Sequence, residues 1–374
     1  MKRSLTNIFQ LGIKELFSLR ADPVMLLLIV YMFSFAVFEE AQNASTGVVN
    51  AAVAIVDEDN SQLSRRIGSA LFQPRFQDPV ALQIEEVDDA MEAGRYTFVI
   101  DIPPNFQADI QAGRPAVIQL IIDATAMGMA SAGAGYIQQI IAEELAVFQQ
   151  REGAVPTVNI ITRARFNANM EPTWYQGAMS LTNNITLMAM LLTGAALIRE
   201  REHGTIEHLL VMPLRPIEIM LAKVWSNGLV VIIAASLSLI TIVQGALAVP
   251  ILGSIPLYLC SMVIYLFSVT SLGIYLATLA RSMPQFGLLT MIVYVMMMLL
   301  SGGNTPLESM PVALQTIMQF VPSTHFVSSA QAILFRNAGL EIVWPQIVSM
   351  TIIGLLFFLA ALLRFRKTVT LLQG

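Results

Sequence analysis

Ile198–Pro216 reads IREREHGTIEHLLVMPLRP. It sets a dense charged run with two histidines between two long apolar segments. If those flanks cross a membrane, the run is a short connection on one face of it. The composition supports that reading. The chain is 55% hydrophobic and only 13% charged, against about 25% charged in an ordinary soluble domain. The formal charge of −5 is unevenly spread. A polar insert over 39–176 has eight arginines, no lysine and eighteen acids, a net −10, which leaves +5 for the remainder. So acidic a domain argues against nucleic acid as a partner.

Outward from the quoted stretch, the pattern predicts a mainly α membrane protein with six transmembrane helices and a mixed α/β extracytoplasmic domain between helices 1 and 2. Residues 1–22 form an amphipathic interfacial helix, with Leu5, Ile8, Phe9, Ile13, Leu16 and Phe17 on one stripe. Asp22-Pro23 reads as a helix start. The first span, 23–38, is short for a bilayer and puts Glu39 and Glu40 at its far interface. A secretory signal peptide is the rival reading. The distance of the apolar run from Lys2 and Arg3, and the lack of an A-x-A site after it, favour an uncleaved span. Further spans are expected at about 177–198, 225–248, 255–280, 285–302 and 343–363, with a tail over 364–374. This threading puts twelve Lys and Arg on the side of the N-terminus. Outside the insert, the opposite side receives only Arg336. Both termini are therefore expected in the cytoplasm and the acidic insert outside.

In the insert, AAVAIVD (51–57), YTFVIDI (96–102) and AVIQLIID (116–123) read as strands, and VNIITRARFN (158–167) as a late strand. SQLSRRIGSAL (61–71), PPNFQADIQAG (103–113) and the run 126–150 read as helices, which makes a mixed α/β domain. The acidic DEDNS at 57–61 offers oxygen ligands but lacks the rest of an EF-hand. A strand-to-helix turn capped by Asn60 or Ser61 is the plainer reading. Between the fifth and sixth spans, 303–342 is cut by Pro306, Pro311 and Pro322 into pieces too short to cross and too apolar for a free loop. Outer re-entrant helices are expected there, with Pro306, Glu308, Pro322 and His325 as candidate gate residues; His325 also reads as an interfacial cap.

No G-x-x-x-x-G-K-[ST] or H-E-x-x-H occurs, so no ATPase site, catalytic residue or metal site is expected. The expected spans hold no Asp, Glu, Lys or Arg, which argues against a proton-coupled carrier. Cys260 sits in an apolar run and reads as a packing residue. Asn183 and Asn184 lie within the second span and need partners, either as helix–helix glue or along a polar path. Met296 and Met297, in VYVMMML, read as span filling or as an adaptable path surface.

Within the opening stretch, Gly204 and Thr205 read as a helix start and Glu207 suits its first turn. Pro213 ends a helix that presents Ile206, Leu209, Leu210 and Met212 beside Glu207 and His208. A capped helix with an apolar ridge is a docking element; a topology anchor would need only basic residues.

REREHGTIEHLLVMPLRPIEIMLAKVW (199–225) resembles the coupling loop of ABC-2-type exporter permeases. VAIVDEDNSQLSRRI (53–67) is similar to the start of that family's outer domain. SGGNTPLESMP, VPSTHF and QAILFR (301–336) are similar to its C-terminal signature. The resemblance covers nearly the whole chain and is nearest to bacterial inner-membrane, multidrug-type permeases with a periplasmic domain. It implies a separate ABC ATPase subunit that holds ATP and Mg, with no cofactor on this chain. It also implies a second permease subunit, identical or paralogous, with a periplasmic adaptor protein as a further candidate partner. Its coupling helix falls on 204–212, flanked by Arg199, Glu200, Arg201 and Glu202, and its interfacial helix on the N-terminal segment. A membrane-anchored scaffold or sensor, whose outer domain binds a ligand or protein, is the alternative.

Overall fold

The computed structural model of the chain describes residues 2–42, 48, 50–72, 75–125, 127–152, 158–165, 172–202, 204 and 214–373. The chain divides into two compact units. One comprises Asn43–Gln176 with Thr305–Gln315; the other comprises Met1–Gln42, Gly177–Asn304 and Thr316–Gly374.

The first unit is built on a five-stranded sheet. Its strands are β1 (Val53–Asp57), β2 (Val80–Ala81), β3 (Phe98–Ile102), β4 (Ala116–Asp123) and β5 (Val158–Arg165), in the order β2-β1-β3-β4-β5. The β3–β4 pairing is antiparallel and the others parallel. Strand alternation sends side chains to opposite faces. Ala54, Val56, Val99 and Ile121 pack with Val87 and Met91 of a short helix, Val87–Glu92. On the other face Ile55 meets Gly68 of the helix Gln62–Ala70, and Phe98 presses on Gly133 of the helix Met127–Glu152. Those two helices are joined by Arg66, whose Nε and Nη2 donate to Glu144 Oε2 at 3.0 and 2.7 Å. The DEDNS stretch is a turn: Asp57 accepts from Asn60 N, Asn60 takes φ +50°, and Ser61 caps the following helix through Ser64 N. Residues 305–315 belong to this unit. The Glu308 carbonyl accepts from Gln77 Nε2 at 2.5 Å, and the Ser309 carbonyl from Asn50 Nδ2 at 2.7 Å.

The second unit carries six helical segments long and apolar enough to cross a membrane, among the described residues. Its helices are α1 (Lys2–Arg20), α2 (Pro23–Phe33), α3 (Phe35–Gln42), α4 (Pro172–Glu202), α5 (Pro216–Ser238), α6 (Ile255–Leu279), α7 (Met283–Leu300), α8 (Pro322–Leu334) and α9 (Leu340–Gln373). A short helix, Val312–Met318, precedes α8. Asp22 caps α2 by accepting from Met25 N at 3.1 Å, with Pro23 in the first turn.

Three expectations are corrected. The first span does not end at residue 38: helix continues to Gln42, broken at Ser34, so Glu39 and Glu40 ride on it. The third helix starts at Pro216 rather than 225 and includes Glu218 and Lys223; it turns into π-helix over Leu239–Ala246. Hydropathy places a span by its apolar centre, whereas backbone hydrogen bonding carries the helix on into polar sequence wherever partners await. Cys260 is exposed on α6 and packs no core.

α4 is the central helix, with 83% of its membrane-length window buried, against 22% for α7. Gly273 of α6 lies against the Met190 backbone of α4, and Gly194 of α4 against the Phe286 ring of α7. The 13-residue α8 lies buried beside α6: the Phe326 ring stacks on Tyr265 at 4.1 Å, and the Ser329 and Ser261 hydroxyls are 3.1 Å apart.

Candidate functional site: the charged end of the central helix

The last turn of α4, Arg199–Glu202, is where the unit's charges meet. Arg199 Nη1 lies 3.1 Å from Asp22 Oδ2, between α1 and α2. Glu200 takes Lys14 Nζ of α1 at 3.0 Å on one oxygen and Lys223 Nζ of α5 at 2.8 Å on the other. Arg201 donates to the Ala280 carbonyl at the end of α6, at 2.5 Å. Glu202 accepts from Met283 N at the start of α7, at 2.8 Å. Four successive side chains thus tie this end of α4 to five other helices. Glu202 does so in the favoured sense, a carboxylate at a helix N-terminus.

α1 lies along this junction. Its Glu15 shares the Lys223 ammonium, 2.9 Å away, and Lys223 is 2% exposed. Asn7 Nδ2 donates to Glu218 at 3.3 Å, and Trp225 Nε1 to the Ile8 carbonyl at 3.1 Å. The Phe9 ring stacks on Trp225, and Gly12 faces the indole so closely that no Cβ would fit. The helix therefore turns Asn7, Gly12 and Glu15 inward, while Leu5 and Phe17 of its apolar stripe are exposed. Burial pushes the Glu15 carboxyl above its ordinary value, and Lys223 partly offsets the rise. A cleft of about 240 Å³ opens among Lys14, Glu15, Leu19, Leu192, Arg199 and Asn227.

Gly204, φ +69°, lies two residues past Glu202, and its N–H donates to the Arg201 carbonyl at 3.2 Å. Glycine tolerates that left-handed conformation, so it closes the α4 turn. Thr205, Ile206, Glu207, Leu209, Leu210 and Pro213 lie outside the described residues, as do His208 and Met212.

The remaining candidates separate. Asn183 and Asn184 are both buried, but only Asn184 reaches another helix, with Nδ2 2.7 Å from the Met32 carbonyl of α2. The Asn183 amide nitrogen has no hydrogen-bond partner. Met297 is buried and Met296 is 55% exposed, so they do not share a surface. Pro306 and Glu308 belong to the α/β unit, whereas Pro322, buried at the start of α8, and His325 belong to the helical unit. His325 Nε2 bonds the Gln319 carbonyl at 2.8 Å.

Sequence reasoning missed Lys14, Glu15, Asp22 and Lys223 as members of the junction. The one available signal was Glu15, an acid beside the apolar stripe of α1. It also missed the contact of Glu40 with Ser180, 2.6 Å, because nothing in the sequence says which helices pack together.

A family model described as ABC-2 family transporter protein matches residues 23–363. Over 369 residues the chain is 53% identical to the inner membrane transport permease YhhJ of Escherichia coli K12, covering 98% of this chain and 99% of the relative. It is 28% identical over 365 residues to the probable multidrug ABC transporter permease YbhR of the same organism, covering 95% and 97%. To the related YbhS it is 23% identical over 377 residues, covering 97% and 95%. With six membrane-length helices and a family match over nearly its whole length, the chain belongs to the ABC-2 family of transporter proteins.

Proposed function

We propose that this chain is the membrane-spanning permease subunit of an ATP-binding cassette exporter in a bacterial inner membrane. It works with a separate ATPase subunit, which holds ATP and Mg, and with a second permease subunit. The observation that carries this reading is the junction at the end of α4. Residues 199–202 grip five helices immediately before the segment that resembles the family's coupling helix. A push on that segment reaches α1, α2, α5, α6 and α7 through contacts of 2.5–3.1 Å, whereas a free loop would dissipate it. The names of YhhJ and YbhR support the inner membrane and a multidrug cargo. Under this reading both termini are cytoplasmic and the α/β unit is outside, in agreement with the Lys and Arg distribution.

The test is the double substitution Leu209→Ala/Leu210→Ala. It should leave insertion and yield unchanged, weaken co-purification of the ATPase and uncouple ATP turnover from export. Wild-type co-purification and export in a well-expressed double variant would reduce the stretch to a topology anchor. Topology is read separately from cysteines at Ala93, exposed in the α/β unit, and at Thr205, with Cys260 replaced. Only the Ala93 site should react with an impermeant thiol reagent in spheroplasts.

A further inference from the structure

The cleft of about 240 Å³ beside the end of α4 is amphiphilic along its length. On its α4 wall, Leu192 is buried, Ala196 is half-buried, and Arg199 follows on the same face at steps of four and three. At ~1.5 Å per residue, Leu192 and Arg199 are about 10 Å apart along the axis, so the cleft runs from an aliphatic end to a charged end. Lys14, Ser18 and Leu19 of α1 form the facing wall.

The carboxylates at the charged end are already engaged. Glu200 takes Lys14 on one oxygen and Lys223 on the other, and Glu15 shares Lys223. The donors have capacity left. Among the described residues, Arg199 engages only Nη1, with Asp22 Oδ2, so Nε and Nη2 remain for another acceptor. Lys14 spends one of its three N–H donors on Glu200, and its side chain is 51% exposed. When Lys14 turns away, Glu200 keeps the buried Lys223, so recruiting Lys14 strands no charge. The exposed Ser18 hydroxyl adds a further donor. What the cleft offers an incoming group is therefore cationic and donor-rich, which matches the oxygens of a phosphate.

The setting selects a lipid over a soluble anion. α1 exposes Leu5, Phe9 and Phe17 beside Arg3 and Lys14, the pattern of a helix lying in a membrane interface. The aliphatic wall of Leu19, Leu192 and Ala196 gives contact to an acyl chain and none to a soluble phosphate. We propose that this cleft is a binding site for an anionic phospholipid, with the phosphate held by Lys14, Ser18 and Arg199 and the root of an acyl chain against Leu192 and Ala196. Bound there, the lipid bridges α1 and α4 at the junction of the helices. The site goes beyond the permease reading: it depends on α1 and α4 meeting at a membrane interface, not on transport.

The experiment titrates the full purified chain in detergent with dioleoylphosphatidylglycerol, or with zwitterionic dioleoylphosphatidylcholine, and counts bound lipids by native mass spectrometry. The first phosphatidylglycerol should bind about five-fold or more tightly than the first phosphatidylcholine, the upper range for one exposed charge contact. Lys14→Gln should weaken that first binding by about five-fold. Arg3→Gln makes the same charge change on α1 outside the cleft and should alter it less than about two-fold. Ala196→Leu keeps every charge and fills the aliphatic end, so it should weaken the first binding by a similar factor to Lys14→Gln. Equal effects of Lys14→Gln and Arg3→Gln would mean diffuse attraction to a basic helix and overturn the inference, as would wild-type binding by Ala196→Leu. Displacement of the lipid by millimolar glycerol 3-phosphate would make the occupant a soluble phosphate ester and overturn the lipid assignment. If Lys14→Gln does not fold, Ala196→Leu decides. The binding is read without the ATPase, so its failure leaves the permease reading standing, and failure of ATPase co-purification leaves the lipid site standing.

Discussion

The central helix α4 and the outer helix α7 reverse the rule of soluble proteins. α4 has the lower mean hydropathy, 1.5 against 1.8, yet 83% of its membrane-length window is buried and only 22% of that of α7. The most apolar span, in α9 with 2.4, is 33% buried. Ser180, Thr182, Asn183, Asn184, Thr186 and Thr193 of α4 all point into protein, while Leu288, Ile292 and Met296 of α7 are exposed. In lipid there is no hydrophobic drive to bring helices together, because the tails are as apolar as leucine. Close packing, small residues and polar contacts hold them instead. The difference teaches that in such a chain the polar residues of a span locate its interior face.

The comparison is broken most severely at the charged end of α4. Lys223→Met removes the cation shared by Glu15 and Glu200 and leaves two buried carboxylates without it, which should cost ~3–5 kcal/mol. The melting temperature in detergent should fall steeply. It should also gain a pH dependence of known sign. Because burial holds the Glu15 carboxyl above its ordinary value, the native state keeps a proton that the unfolded chain has released. Stability therefore falls as pH rises from the ordinary carboxylate range through the raised value. Without Lys223 to offset that rise, the fall should extend to higher pH in the variant. A pH-independent difference between the two proteins would remove Glu15 from the account.

A smaller effect separates the seams. A Cβ at Gly273 would come within 2.8 Å of the Met190 carbonyl of α4, whereas one at Gly287 of α7 meets nothing within 4 Å. Gly273→Leu should cost at least ~1–3 kcal/mol through overpacking. Gly287→Leu should be neutral or gain up to ~1 kcal/mol from helix propensity. Equal thermal stabilities of the two variants would mean that α4 and α6 do not approach as closely as described.

The smallest effect divides the neighbouring asparagines. Asn184→Leu strips the Met32 carbonyl of its donor and should cost ~0.6–2 kcal/mol. Asn183→Leu removes an amide nitrogen that has no partner and should leave the melting temperature unchanged. A shared loss of melting temperature would make both residues packing glue.

Much of this was legible in the sequence. The six apolar runs, four of the five strands of the insert, the Asp22 cap and the turn at 57–61 follow from local rules, since hydropathy, β-branching and capping act within a few residues; the two-residue strand β2 was not expected, and the choice of Ser61 over Asn60 as cap came from the structure. The charged stretch was recognisable as a place of unusual chemistry, and its segment Thr205–Pro213 still rests on the sequence.

The sequence by itself determined that the chain crosses a membrane, where its polar insert lies and which stretch resembles a coupling element. Only the tertiary structure decided that Arg199–Glu202 bind five helices, that Lys223 is buried between Glu15 and Glu200, that Glu40 meets Ser180, and that of two adjacent asparagines one is joined and one is not. Apart from Lys223–Glu200, which spans one inter-helix connection, each of those contacts joins residues about 80 to 210 positions apart in the chain, or is denied to a side chain by where its neighbours end up. In lipid the choice among helix pairings rests on complementary small and polar surfaces. No local pattern in the sequence records which of those surfaces meet.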